Sequence, residues 1–105
     1  MIVYVAGAYR GKSKNKLINK VQVISNIMKA RRVAKELWRH GYTVICPHCN
    51  SILMDGIVDD EVFLKGDLEI LQRCDAIYMM DDWWLSSGAK SEYKFAIDHE
   101  IVRIQ

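Results

Sequence analysis

Apolar residues first form an unbroken run, then recur at helical spacing, then run together again, and this exchange repeats to the end of the chain. Ile2-Val3-Tyr4-Val5-Ala6 is continuous and β-prone and closes at Gly7, as expected of a strand covered on both faces. From about Gln22 to His40, Ile24, Ile27, Ala30, Ala34, Leu37 and Trp38 return at the spacing of one helix face. Gly41 stands where a helix-ending C′ residue belongs. Tyr42-Thr43-Val44-Ile45 predicts a second, short strand, stopped by Pro47. Asp59 or Asp60 can cap a helix running to about Arg73, with Phe63, Leu64, Leu68 and Leu71 as its packed stripe. Asp75 to Met80 reads as a third strand, Ser87 to His99 as a third helix, and Ile101 to Ile104 as a last strand.

This order predicts one α/β domain over residues 1–105, a three-layer parallel sheet with right-handed crossovers. A chain of 105 residues is long enough to bury a core without metal or disulfide staples. Residues 46–58 form the longest loop after a strand, which places them at a site. Hydrophobic content of 50% and charged content of 27% are those of an ordinary soluble protein. The formal charge of +2 supplies no continuous basic face, so nucleic acid is not an expected partner. Positive residues do gather at Arg10, Lys12, Lys14, Lys16 and Lys20, as a solvated loop or as a loop that meets an anionic ligand. Three cysteines without the spacing of a secreted framework suggest a reducing cytosol. The chain opens on a strand without a leader, and no apolar run approaches the ~20 residues of a membrane span. The expectation is a cytoplasmic protein with no membrane partner.

Several patterns carry candidate chemistry. Cys46-Pro47-His48-Cys49 after a strand is a redox signature, but the chain has no second proline to face the pair. Zinc would need a second ligand pair, and only the scattered Cys74, His40 and His99 remain, so no metal is expected. The plainer reading is a strand end that turns at Pro47 with incidental thiols. Ala6-Gly7-Ala8-Tyr9-Arg10-Gly11-Lys12-Ser13 satisfies a relaxed phosphate-loop pattern, and Met79-Met80-Asp81 mimics the strand whose Asp holds magnesium. Bulky Tyr9 and Arg10, where backbone amides must wrap a phosphate, count against a nucleotide triphosphatase.

Glu92 is the most informative position. Gly88 and Ala89 lie one turn before it and Phe95 and Ala96 one turn after, so it faces packed protein or a pocket, without i,i+4 charge partners. Asp67 also has an apolar flank (Phe63, Ile70, Leu71), although taken alone it reads better as a cap-like or surface carboxylate. Two carboxylates at neighbouring strand tips suit glycosidic bond cleavage, one as nucleophile and one as proton donor. Asp81 and Asp82 crowd the third strand's tip together with Trp83 and Trp84, whose indoles are either a lid on the core or a platform for a base or sugar. Ser86 and Ser87 are helix N-caps at minimum, and such a terminus also holds ligand oxygens.

In order along the chain, Tyr4-Val5-Ala6-Gly7-Ala8-Tyr9-Arg10-Gly11, then Asn26 with a helix ending in Gly41-Tyr42, then Asp67 with Leu71 and Cys74-Asp75, then Ser86-x-Gly88-x-x-x-Glu92, resemble the nucleoside 2-deoxyribosyltransferase-like superfamily. The resemblance spans nearly the whole chain. Asn26, Cys46-Pro47-His48 and Trp83 to Glu92 fit its small uncharacterised bacterial and phage members best, and deoxynucleoside monophosphate N-glycosidases are also similar. It implies a flavodoxin-like, Rossmann-like sheet in strand order 2-1-3-4. It further implies that Glu92 attacks the anomeric carbon of a 2-deoxyriboside, that Asp67 protonates the departing base or holds the sugar, and that Tyr4 orients Glu92. Gly7, Arg10, Ser86 and Gly88 then match positions around sugar and phosphate, with Ala8, Asn26, Asp81, Trp83 and Ser87 completing the expected substrate contacts. Ala8 stands where the monophosphate hydrolases place a serine, which removes one phosphate contact. The expectation is an N-glycosidase or deoxyribosyltransferase without cofactor, acting on a nucleoside or nucleotide and pairing as a homodimer. A non-catalytic nucleotide-binding module on the same scaffold is the alternative.

Overall fold

The computed structural model describes residues 1–52 and 54–105. Four parallel strands, β1 (Ile2–Ala6), β2 (Thr43–Ile45), β3 (Ala76–Met79) and β4 (Val102–Arg103), form a sheet in the order β2-β1-β3-β4. Helices α1 (Lys16–Arg39), α2 (Pro47–Asn50), α3 (Asp60–Gln72) and α4 (Ser87–Asp98) connect them, with a 3-10 turn at Trp83–Leu85 before α4.

The layering follows from the two-residue period of β1. Val3 and Val5 point to one face and pack with Ala30, Ala34 and Leu37 of α1. Tyr4 and Ala6 point to the other and pack with Leu71 of α3 and Ala96 of α4. The register carries both faces across the sheet: Val3 pairs with Val44 and Ala76, and Tyr4 with Ile45 and Ile77. A strand clothed on both sides must be apolar along its length, which is why β1 reads as a continuous run.

Two elements differ from expectation. Helix α1 begins six residues before the predicted start at Gln22, at an Asn15 whose side chain accepts from the Leu17 and Ile18 amides. Its 24 residues extend about 36 Å, whereas a five-residue strand spans only about 17 Å. The N-terminal half therefore overhangs the sheet, and Ile24, expected in the packed stripe, is exposed, as is Trp38 at the other end. The loop expected over 46–58 contains the one-turn helix α2, opened by Pro47. Asp59 occupies the N-cap position of α3, but its side chain makes no capping bond.

Candidate active site

Beyond the C-terminal end of β1 lies a cleft of about 450 Å³ walled by the loop after β1, by α2 and by facing turns of α3 and α4. Glycine is required at Gly7, where the chain leaves β1. A Cβ there would lie 2.7 Å from Met80 Sδ and 2.9 Å from Met80 Cβ. Beyond it, the Ala8 amide donates to Asp82 Oδ1 at 3.1 Å and the Ala8 carbonyl accepts from His48 Nε2 at 2.9 Å. The next residues are held from outside the cleft, where Asn26 Nδ2 donates to the Tyr9 carbonyl at 3.1 Å. Tyr9 Oη donates to Asp55 at 3.0 Å, and Arg10 pairs with Asp60 at 2.5 Å, so this loop is strapped to the segment leading into α3.

Glu92 sits one turn into α4, whose N-terminus is capped by Ser86 Oγ accepting from the Ala89 amide at 3.2 Å. Its side chain enters the cleft between the small residues that the sequence places around it, and only 8% of it is exposed. From beneath, the fully buried Tyr4 donates its hydroxyl hydrogen to Glu92 Oε2. Asp67 enters the same cleft from α3. Burial pushes the Glu92 carboxyl up to about 7; the Tyr4 hydrogen bond opposes this, and the nearby Asp67 charge adds to it. Burial likewise raises Asp67 to about 6. Two carboxylic acids with affinities moved towards neutrality by withdrawal from water are thus held in one hollow, a feature of acid–base and nucleophilic sites.

Gly7, Ala8, Arg10, Ser86, Ser87 and Gly88 line this cleft beside Asp67 and Glu92. Three expected contacts lie elsewhere. Asn26 braces the loop from behind through backbone carbonyls. Asp81 is exposed, and the neighbouring Asp82 is the carboxylate that reaches Ala8. Trp83 packs edge-on against Tyr93 at 4.9 Å, with the Arg103 guanidinium over both rings, so it closes the sheet's α4 side as a core lid. The phosphate-loop alternative loses its geometry, because the Lys12 and Ser13 amides both donate to Gln22 Oε1, at 2.8 and 3.0 Å. Among the described residues, no group of three or more His, Cys, Asp and Glu side chains is placed to hold a metal ion. No described helix is long and apolar enough to cross a membrane.

His48 is the wall residue that the sequence did not single out for the cleft. It is buried, its Nδ1 has no hydrogen-bond partner, and burial lowers its proton affinity, which keeps the ring neutral with the proton on Nε2 facing Ala8. The available signals were its place in the loop after the second strand and in the Cys46-Pro47-His48 motif, neither of which gave it a role.

A family model described as a domain of unknown function (DUF4406) matches residues 1–103. Five chains of solved structures match the fold. One of them, described as a 2-deoxyribosyltransferase from the psychrotolerant bacterium Bacillus psychrosaccharolyticus, superposes with a TM-score of 0.64 at 18% identity, over 98% of this chain and 69% of that one. At that identity the likeness establishes the fold. No curated protein matches the sequence.

Proposed function

The chain belongs to the DUF4406 family, and on that premise we propose that it cleaves or transfers the N-glycosidic bond of a 2-deoxyriboside. The observation that carries this reading is the pairing of buried Glu92, held by Tyr4, with Asp67 across one cleft. The 2-deoxyribosyltransferase fold of the neighbour supports the substrate class.

In this mechanism Glu92, ionised and oriented by the Tyr4 hydroxyl, attacks the anomeric carbon. The C–N bond breaks, its electron pair leaves on the base, and Asp67 delivers the proton that the base nitrogen takes up. Water or a second base then attacks the glycosyl ester and frees Glu92. The Tyr4 hydrogen bond favours the ionised carboxylate against the cost of burial, so the nucleophile is poised near neutrality rather than fully charged. In this reading sugar oxygens meet the helix terminus at Ser86, Ser87 and Gly88, which lines the cleft.

Incubation with deoxynucleosides and their monophosphates, followed by chromatography for free base, tests the reading. Base release by the parent and none by Glu92→Gln is the expected result. Equal release by both ends the mechanism. A rise in thermal stability with nucleoside but no bond cleavage would instead make the cleft a binding module. A second copy of the chain is the proposed partner for the overhanging half of α1. There Leu17, Val21, Ile24 and Met28 repeat at four-three-four spacing and are 48–73% exposed, as in a helix-pair seam.

A further inference from the structure

Cys46 and Cys49 bracket Pro47 and His48, which form one wall of the cleft, and the mechanism above uses neither thiol. Their sulfurs lie 3.4 Å apart, with Cys46 Sγ donating to Cys49 Sγ. The turn that carries them is closed by the Cys49 and Asn50 amides, each donating to the Cys46 carbonyl at 3.0 Å. A disulfide requires about 2.05 Å between sulfurs, so ring closure calls for side-chain torsion within one turn rather than refolding. Both thiols are half-buried and so remain reachable by a small molecule, while Cys74 is buried on the opposite face of the sheet and bonded to the Ile70 carbonyl. The same turn reaches the loop after β1 through His48 Nε2 and the Ala8 carbonyl.

We propose that Cys46 and Cys49 are a reversible dithiol–disulfide pair, a modification site for low-molecular-weight disulfides that sets the position of His48 in the cleft wall. The order of attack follows from the hydrogen bond. Burial and donation to Cys49 push the Cys46 thiol up to about 12, so Cys46 keeps its proton while Cys49 acts first. The Cys49 thiolate attacks one sulfur of the reagent RSSR, whose S–S bond breaks to release RS⁻, and this takes up a proton. Cys46 then gives its proton to solvent and attacks the Cys49 sulfur of the mixed disulfide, expelling the second RS⁻. Two protein thiols are oxidised and RSSR is reduced to two RSH.

The test incubates the reduced full chain with glutathione disulfide, followed by alkylation, intact mass and peptide mapping. The expected product has lost two hydrogens, carries a link mapped between Cys46 and Cys49, retains Cys74 as its alkylatable thiol, and reverts with dithiothreitol. The His48 imidazole resonance should move between the two forms. Three alkylatable thiols after incubation, or a glutathione adduct that never closes, would overturn the pair. A closed ring with an unmoved His48 resonance would overturn its connection to the cleft.

Discussion

Replacing Glu92 with glutamine should make the protein inactive and, above neutrality, more stable. In the folded chain this carboxyl is pushed up from 4.5 to about 7, chiefly by burial. Between those values the folded state binds more protons than the unfolded one, so stability conferred by this position declines as pH rises through the window. Each pH unit of displacement corresponds to about 1.4 kcal/mol, so holding the carboxylate charged above pH 7 costs on the order of 3 kcal/mol. Glutamine carries no such cost. Its carbonyl can still accept from Tyr4, and its amide can donate towards Asp67. For a chain of this size the difference corresponds to a rise in Tm on the order of 10 °C at pH 8, shrinking towards zero near pH 4.5. Urea or thermal unfolding of parent and variant from pH 4.5 to 8.5 measures it, beside an assay for released base. A variant no more stable than the parent at pH 8, or equally stabilised at both ends of the range, would refute the claim that burial governs this carboxyl.

Tyr4→Phe removes the donor that favours the ionised carboxylate, so the Glu92 carboxyl rises further: the basic limb of the kcat/KM profile should move to higher pH and its maximum fall, with a stability loss of roughly 1–3 kcal/mol from the unsatisfied Glu92 oxygen. With Glu92 near 7 and Asp67 near 6, the form with Glu92 ionised and Asp67 protonated is the minor singly protonated state, so the parent profile should be a low, narrow bell between those values, belonging to the pair as a unit. Asp67→Asn should remove the basic limb and leave the single ionisation of Glu92, shifted below its parent value because the repelling charge is gone, and should cost about 10²–10⁴ in rate if Asp67 delivers the proton; an unchanged rate would remove that role. Gly7→Ala should destabilise by about 1–3 kcal/mol through its collision with Met80, read from denaturant midpoints. Val21→Glu in α1 should convert a dimer to a monomer in light scattering, and a parent already monomeric at high concentration would dismiss the helix-pair seam.

The carboxylate on α4 was legible because its immediate neighbours are small. Gly88, Ala89 and Ala96 leave no charge partner on that helix face, and that absence is a local pattern. The parallel sheet was likewise readable from the alternating runs, and its strand order from the motif resemblance. The start of α1 was not, since Leu17, Ile18 and Val21 overhang the strands and follow no buried periodicity; the usable clue was Asn15 as an N-cap. Helix α2 is a single turn, too short to show any period. His48 owes its place to a backbone carbonyl forty residues away, and Asp82 displaced Asp81 by the phase of one turn. Contacts of that kind arise only from tertiary closure. Trp83 was ambiguous because an indole that caps a core and one that stacks on a base have the same local sequence.

Tyr4 belongs at once to the innermost packing of the sheet and to the buried carboxylate of Glu92. Alternate residues of an extended chain face opposite ways, so sliding β1 by a single place against β3 would swing the phenol to the α1 side and strand Glu92 without its donor. Misalignment of the strands and loss of the phenol–carboxylate contact would therefore be one event, and any variant that keeps that contact reports a correctly zipped sheet.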